Sequence, residues 1–412
     1  MKTKLYSFVG MFAIVAMLFG VVGLNSFTSH AAPTPHRVIV TFEQAVNENA
    51  RIALEGLGGR TLKDLSLING IVVLLPDEAK VPQVEALVGV KRVEQDARVF
   101  TLAPPGACSP WPSCKDSGDD DDSTQPAEVL EWGVDYIDAD LAWTTSRGLG
   151  IDVAIIDTGI DRDHEDLVDN LKGGVNFVSK NPRKPADANN WDDDNGHGTH
   201  VAGIVAAVDN EIGVIGVAPE AHLWAVKALD RNGSGYTSDI IDGINWAVTN
   251  GMDVINMSLG TASDIQALHD AVDAADAAGV VVVAAAGNSG DGDGATNEVI
   301  YPAKYSSVIA VAATASDDST PDWSSEGEEV EIAAPGVNIR STWNDGLYDT
   351  KNGTSMASPH VAGTVALMLE SGIASVDVRA ILQTTADDLG AVGFDNFYGY
   401  GLVDAERATA GI

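Results

Sequence analysis

Three short stretches carry side chains suited to nucleophilic chemistry. Asp157 closes the apolar run VAIID and precedes Thr158 and Gly159. A carboxylate there can leave the core at a strand's end and point into a crevice; taken alone, such an aspartate also suits a turn or a cap. His197 and His200 lie in DDDNGHGTHVAGIVAAV, where Asn195-Gly196 makes a turn. The small residues Ala202, Gly203, Ala206 and Ala207 suit a closely packed helix after it. Two chemistries are open. His197 is a general base, or His197 and His200 ligate a metal with Asp192 to Asp194. The second lacks the glutamate that follows the first histidine in the zinc-protease helix motif. Ser355 lies at the start of SMASPHVAGTVALML, a helix by pattern, with Pro359 expected in its first turn. A serine at a helix start exposes Oγ, and the free backbone N–H groups beside it stabilise negative charge. An acyl-transfer nucleophile needs both. In isolation the same serine reads as a helix cap.

The elements around these stretches set a fold class. IDVAIID, AHLWAVKAL, MDVINMS, VVVVAAAGN and SVIAVAAT are short, nearly continuous apolar runs, as expected of strands buried on both faces. SDIIDGINWAV and DIQALHDAVDAADAAG read as helices between them. The alternation predicts an α/β domain over residues 128–412, a mostly parallel sheet with helices on both faces. Functional groups in such sheets gather beyond the carboxyl ends of the strands. Residues 33–102 form a separate small unit. HRVIVTF, LSLI with INGIVVLLP, and KRVEQDARVFTL read as strands, and NENARIALEGLG and KVPQVEALVGV as helices. The order β-α-β-β-α-β predicts a ferredoxin-like α+β sandwich. Residues 103–127, rich in Pro, Gly, Ser and Asp, read as a linker. Its two cysteines, Cys108 and Cys114, are the chain's only ones and are expected to close a local disulfide. At the start, Lys2 and Lys4 precede an apolar run from Phe8 to Leu24 and small residues from Ser29 to Ala32. This predicts a signal peptide over residues 1–32, the alternative being an uncleaved anchor.

Charge narrows the partners. The formal net charge is -36 over 412 residues. It is uneven: residues 33–102 are near balance, with 8 basic and 9 acidic side chains, whereas residues 128–412 carry 13 and 46. Such a surface argues against nucleic acid and anionic lipid as partners and suits a protein facing cations.

IDTGID, NGHGTHVAG and NGTSMASPHVAG, in that order, resemble the three signature motifs of the subtilisin-like serine proteases, the subtilases. The resemblance covers roughly residues 128–408, and GYGLVDAERA is similar to the family's last segment. It implies a secreted serine endopeptidase made as a zymogen. Ser355 is then the nucleophile, His197 its general base and acid, and Asp157 the group that orients His197. Asn288 of AAAGNSG aims its amide at the oxyanion, and His200 and His360 are packing residues. Ser258, Leu259 and Gly260 resemble the strand that pairs with an extended peptide. Ala284, Ala285, Ala286 and Gly287 resemble a wall of the primary specificity pocket, which implies broad specificity with a liking for large apolar side chains. AAVDNEIGV resembles the family's calcium loop. Asn210 and Asp166 would offer side-chain oxygens there, Val208, Ile212 and Val214 carbonyls, and Glu128 a further carboxylate; the calcium is structural, with no catalytic metal. The unit over 33–102 resembles the family's propeptide, an intramolecular inhibitor and folding assistant, leaving the mature start anywhere from Ala103 to Glu128. Expected partners are polypeptide substrates and this propeptide, around a monomer with no stable membrane association. A catalytically inactive binding protein on the same scaffold is the alternative function.

Overall fold

The computed structural model describes residues 35–102, 125–179 and 186–411. The expected signal peptide and the Cys108–Cys114 pairing lie outside the described residues. In the N-terminal domain, β1 (His36–Phe42), α1 (Glu48–Gly56), β2 (Arg60–Leu65), β3 (Gly70–Leu75), α2 (Val81–Glu85) and β4 (Val90–Gln95) follow the expected β-α-β-β-α-β order. They build an antiparallel sheet of order β2-β3-β1-β4.

Three details differ from expectation. The second strand is RTLKDL, not LSLI, whose last three residues form a 3-10 turn. RTLKDL is polar and half exposed, so apolar alternation does not mark it. The helix α2 keeps only five residues, between Pro82 at its start and the left-handed Gly89 beyond its end. The closing strand also divides at Asp96. The buried Asp96 carboxylate accepts from Ser238 N (2.9 Å), Ser238 Oγ (2.8 Å) and Arg37, which turns the chain out of the first sheet. β5 (Arg98–Thr101) then pairs with the second domain.

The second domain holds α3 (Trp132–Tyr136), α4 (Ala139–Ala142), β6 (Asp152–Asp157), β7 (Leu171–Asn176), α5 (His197–Ala206), β8 (His222–Lys227), β9 (Ser234–Tyr236), α6 (Thr237–Thr249), β10 (Val254–Met257), β11 (Leu259–Gly260), α7 (Gln266–Ala277), β12 (Val281–Ala285), β13 (Ile309–Thr314), β14 (Val330–Pro335), β15 (Ile339–Trp343), β16 (Leu347–Lys351), α8 (Thr354–Glu370), α9 (Ser375–Thr385) and α10 (Ala405–Ala410). Seven strands form one parallel sheet of order β14-β13-β12-β10-β6-β8-β7. Strand alternation feeds two cores. Val153, Ile155 and Val283 face α5 and α8, whereas Ala154, Ile156 and Val282 face α6 and α7. The N-terminal sheet does the same. Val38 and Val40 pack beneath its own helices, while Ile39 and Val72 join the core around α6 and α7. One face of the small sheet is thus completed only by the second domain. Among the described residues, no helix is long and apolar enough to cross a membrane.

Candidate active site

The carboxyl ends of the strands gather the three candidate side chains. Asp157 ends β6, fully buried, and its Oδ1 lies 2.8 Å from His197 Nδ1. The same oxygen accepts from Thr158 N at 2.7 Å. His197 opens α5, whose N-terminal N–H groups are satisfied by Asn195 and Asp193: Asn195 Oδ1 accepts from His197 N at 3.1 Å, and Asp193 Oδ2 from Thr199 N at 3.0 Å. The helix can approach β6 because residue 198 is glycine. A Cβ there would stand 2.1 Å from Gly159 O. α8 packs beside α5 and presents Ser355 in its first turn.

Ser355 Oγ donates toward two carbonyls, Ser258 O at 3.2 Å and Leu102 O at 3.3 Å. The Leu102 carbonyl therefore lies at the candidate nucleophile. Gly353, at a φ of 148°, lies beside it: a Cβ would come 3.6 Å from Leu102 O, 3.6 Å from Ser355 N and 3.2 Å from Asn288 Nδ2. Asn288 Oδ1 accepts from Thr354 N and Thr354 Oγ1, each at 2.9 Å. That pair of bonds fixes the amide, and its buried Nδ2 has no hydrogen-bond partner among the described residues. Two N–H donors and one carbonyl oxygen are thus collected around Gly353.

Upstream of Leu102 the chain is held as a strand on both sides. Thr101 and Phe100 pair antiparallel with Leu259 and Gly260 of β11. Arg98, Val99 and Phe100 pair with Tyr236, Gly235 and Ser234 of β9, and Thr101 N donates to Gly233 O at 2.8 Å. The β11 side was expected; β9 was not. The glycines of GSGY were its only trace, and the approach to β5 that they permit is close, since a Cβ at Gly233 would stand 2.4 Å from Thr101 Oγ1. Ser258 lies at the turn between β10 and β11, and its Oγ donates to Ser355 O at 2.8 Å. Ala284, Ala285 and Ala286 are fully buried, with Ala284 and Ala286 in the core around α6 and α7. Gly287 follows them, and its N donates to Thr354 Oγ1 at 3.2 Å.

The metal-ligand grouping is dispersed. His200 Nε2 faces the carbonyls of Ile339 (3.1 Å) and Asp349 (3.0 Å), Asp194 pairs with Lys227, and Asp192 lies by Arg162. Burial pushes His200 down to about 3 and His360 down to about 4, so both are neutral at ordinary pH. α8 begins at Thr354, just before Ser355 as expected, and Pro359 is its sixth residue, inside the helix rather than in its first turn.

This geometry accompanies clear sequence kinship. A model of the subtilase family matches residues 148–401. The chain belongs to the subtilase family. Subtilisin DY of Bacillus licheniformis is 49% identical over 287 residues, which cover 69% of this chain and 100% of that protein. Subtilisin E of Bacillus subtilis strain 168 is 39% identical over 383 residues, 91% of each chain. An alkaline protease of Shouchella clausii is 45% identical over 294 residues, 71% of this chain and 73% of that one. The chain is accordingly a serine endopeptidase, and its substrates are polypeptides.

The loop over 208–214 wraps a second polar cluster of this subtilase. Asp166, fully buried, accepts from Val214 N (3.0 Å), Tyr348 Oη (3.0 Å) and Asn210 Nδ2 (3.2 Å). Val208 N donates to Asp166 O, and Ile212 N to Asn210 Oδ1. Glu128 Oε1 accepts from Asn210 N at 2.6 Å. Burial pushes the Asp166 carboxyl up to about 6, and the nearby Glu128 adds to the rise. Asp166 and Glu128 bring carboxylates from two other segments to the loop whose Asn210 offers an amide oxygen, and burial denies Asp166 its charge; such an oxygen set fits a hard divalent cation. A separate acidic trio, Asp291, Glu298 and Glu326, has ligand atoms within 4.8 Å of one another; it was not singled out from the sequence, and Glu326 joins the 291–298 stretch only through the fold.

Proposed function

We propose that this subtilase is a secreted zymogen that cuts its own chain after Leu102 through a triad of Ser355, His197 and Asp157. The observation that carries the reading is the Leu102 carbonyl, 3.3 Å from Ser355 Oγ at the end of a strand held between β9 and β11. Ser355 Oγ attacks that carbonyl carbon, His197 takes its proton, and Asp157 fixes the ring and stabilises the imidazolium. The oxyanion forms where Asn288 Nδ2 and Ser355 N converge. His197 then protonates the leaving amine, and water hydrolyses the acyl-enzyme by the same steps in reverse. The N-terminal domain over 33–102 is the propeptide: after the cut its last strand stays in the cleft as a bound product and inhibits. Substrates bind as a third strand in the place of β5, with broad specificity and a preference for large apolar side chains such as Leu102. Calcium, bound by Asp166, Asn210 and Glu128 with carbonyls of the 208–214 loop, is structural and takes no part in the chemistry. The acidic, linker-borne segment 103–127 is trimmed after the first cut. Intact triad residues argue against an inactive binding protein.

The test is the first product of processing. The wild-type precursor is expected to release an N-terminal fragment whose last residue is Leu102 by mass spectrometry, and Ser355→Ala precursor is expected to stay intact. Processing by the Ser355→Ala protein, or a first cut elsewhere, refutes the proposal. Phenylmethylsulfonyl fluoride should label mature enzyme at Ser355.

A further inference from the structure

Beyond the residues next to the cut, the N-terminal domain lays three cations on one wall of the catalytic domain. Arg98 is the fifth residue counted back from the bond after Leu102. It pairs in register with Tyr236, its guanidinium stands 4.5 Å over the Tyr236 ring, and it donates to Ser234 Oγ. Arg37 stands 4.0 Å over the same ring. Lys63 reaches Asp239 and Asp242, each at 2.6 Å. All border a single cavity of about 500 Å³, whose catalytic-domain wall includes Asp230, Ser234, Tyr236, Asp239, Asp242 and Phe177. When the propeptide leaves, the three cations leave with it, and the wall keeps its carboxylates and its aromatic ring.

We propose that this wall is a substrate subsite for a cationic side chain, arginine or lysine, at the fifth position before the cleaved bond. The inference rests on the reading of β5 as the stand-in for substrate, and Arg98 is its observed occupant. A ring face attracts a guanidinium, and Asp230 and Asp239 add negative potential at its edge. Arginine fits better than lysine, because a planar group stacks on the ring while donating to Ser234. The third position differs: Phe100 is 50% exposed, so a side chain there meets little of the enzyme. That contrast matters because the domain's general acidity attracts any cation, whatever its position.

The mature enzyme is assayed with quenched fluorescent peptides ending X-Val-Phe-Thr-Leu before the cut, X being Arg, Ala or Glu. Arg is expected to exceed Ala about two- to fivefold in kcat/KM, with Glu below Ala. Moving the Arg to the third position is expected to give less gain. Tyr236→Leu should bring the Arg-to-Ala ratio near one, and Tyr236→Phe should keep it. Equal rates for the three peptides, an equal gain at the third position, or a ratio unchanged in Tyr236→Leu overturns the subsite and leaves the proteolytic reading standing. Peptides left uncut after Leu overturn both, because β5 then does not mark the substrate's path.

Discussion

Lys63 offers the most direct test of how the proposed propeptide is held. Its Nζ lies 2.6 Å from both Asp239 and Asp242 of α6, with side-chain exposures of 22%, 10% and 14% for the three residues. Burial raises Asp242 to about 6 and also raises Asp239, so both carboxylates depend on this cation while the domains are joined. In Lys63→Met the N-terminal domain would cover two acids that have lost their nearest counter-charge, with only the more distant Arg37 still acting on Asp239. Breaking a fully buried pair costs about 3–5 kcal/mol; the residual exposure here reduces that to about 2–3 kcal/mol. At about 1.4 kcal/mol per tenfold, inhibition should weaken about 30- to 150-fold. The assay is the inhibition constant of the cleaved propeptide against mature enzyme, from progress curves. The decisive arm is the combination of Lys63→Met with Asp239→Asn and Asp242→Asn. With no charge left to bury, it should recover most of the affinity. A change under threefold in Lys63→Met, or a loss undiminished in the combined variant, would refute the argument.

Asn288→Ala should lower kcat about 100- to 1,000-fold with little change in KM, a magnitude known from an oxyanion donor of a subtilisin; a loss confined to KM would remove Asn288 from the oxyanion site. Calcium at 100 times its dissociation constant adds about 2.7 kcal/mol, so chelation should lower the Tm of Ser355-blocked enzyme by about 5–10 °C, and Asp166→Asn should abolish that response. The pH dependence has a definite sign. Burial raises the Asp166 carboxyl from its ordinary value to about 6, so calcium-free folded protein binds the extra proton between about pH 4 and 6. Its stability therefore falls as pH rises through that window, and calcium should flatten the slope by stabilising the carboxylate; a slope unchanged by calcium would separate Asp166 from the ion. Ser258→Ala removes the donor to the buried Ser355 carbonyl and should cost about 1–3 kcal/mol of stability, read by denaturant unfolding.

Five strands of the parallel sheet, β6, β8, β10, β12 and β13, were legible as apolar runs, whereas the edge strands β7, LKGGVN, and β14, VEIAAP, were not, because glycines or a glutamate interrupt them. Runs such as VAIID and VVVVAAAG stand out whatever surrounds them. Elements whose side chains are half exposed were not legible. RTLKDL of β2 and LYDTK of β16 acquire strand character only from their neighbours. The division of KRVEQDARVFTL had the same cause. Both halves are extended, but Asp96 assigns them to different sheets through Ser238, a residue 142 positions away. The candidate triad was legible as types in long motifs. The residues that aim those groups, Thr354 on Asn288 and Ser258 on Ser355, carry no local signal because their partners are remote in sequence.

Pro359 shows how far a local reading reaches. A proline in a first helical turn loses nothing, since its N–H would be unpaired anyway. Within α8 the same proline withholds the N–H that the Ser355 carbonyl would otherwise accept four residues earlier. That carbonyl belongs to the candidate nucleophile itself, which is fully buried, and an unsatisfied carbonyl there would be costly. Ser258 Oγ satisfies it at 2.8 Å, while Ser258 O accepts from Ser355 Oγ at 3.2 Å. The two serines thus exchange hydrogen bonds in both directions. Ser258 also begins the turn into β11, the strand that pairs with β5. The break in the helix ladder therefore ties the candidate nucleophile to the strand that holds β5, so a shift of one relative to the other must break buried hydrogen bonds. The proline that reads as a tolerated interruption is what frees the carbonyl for that link.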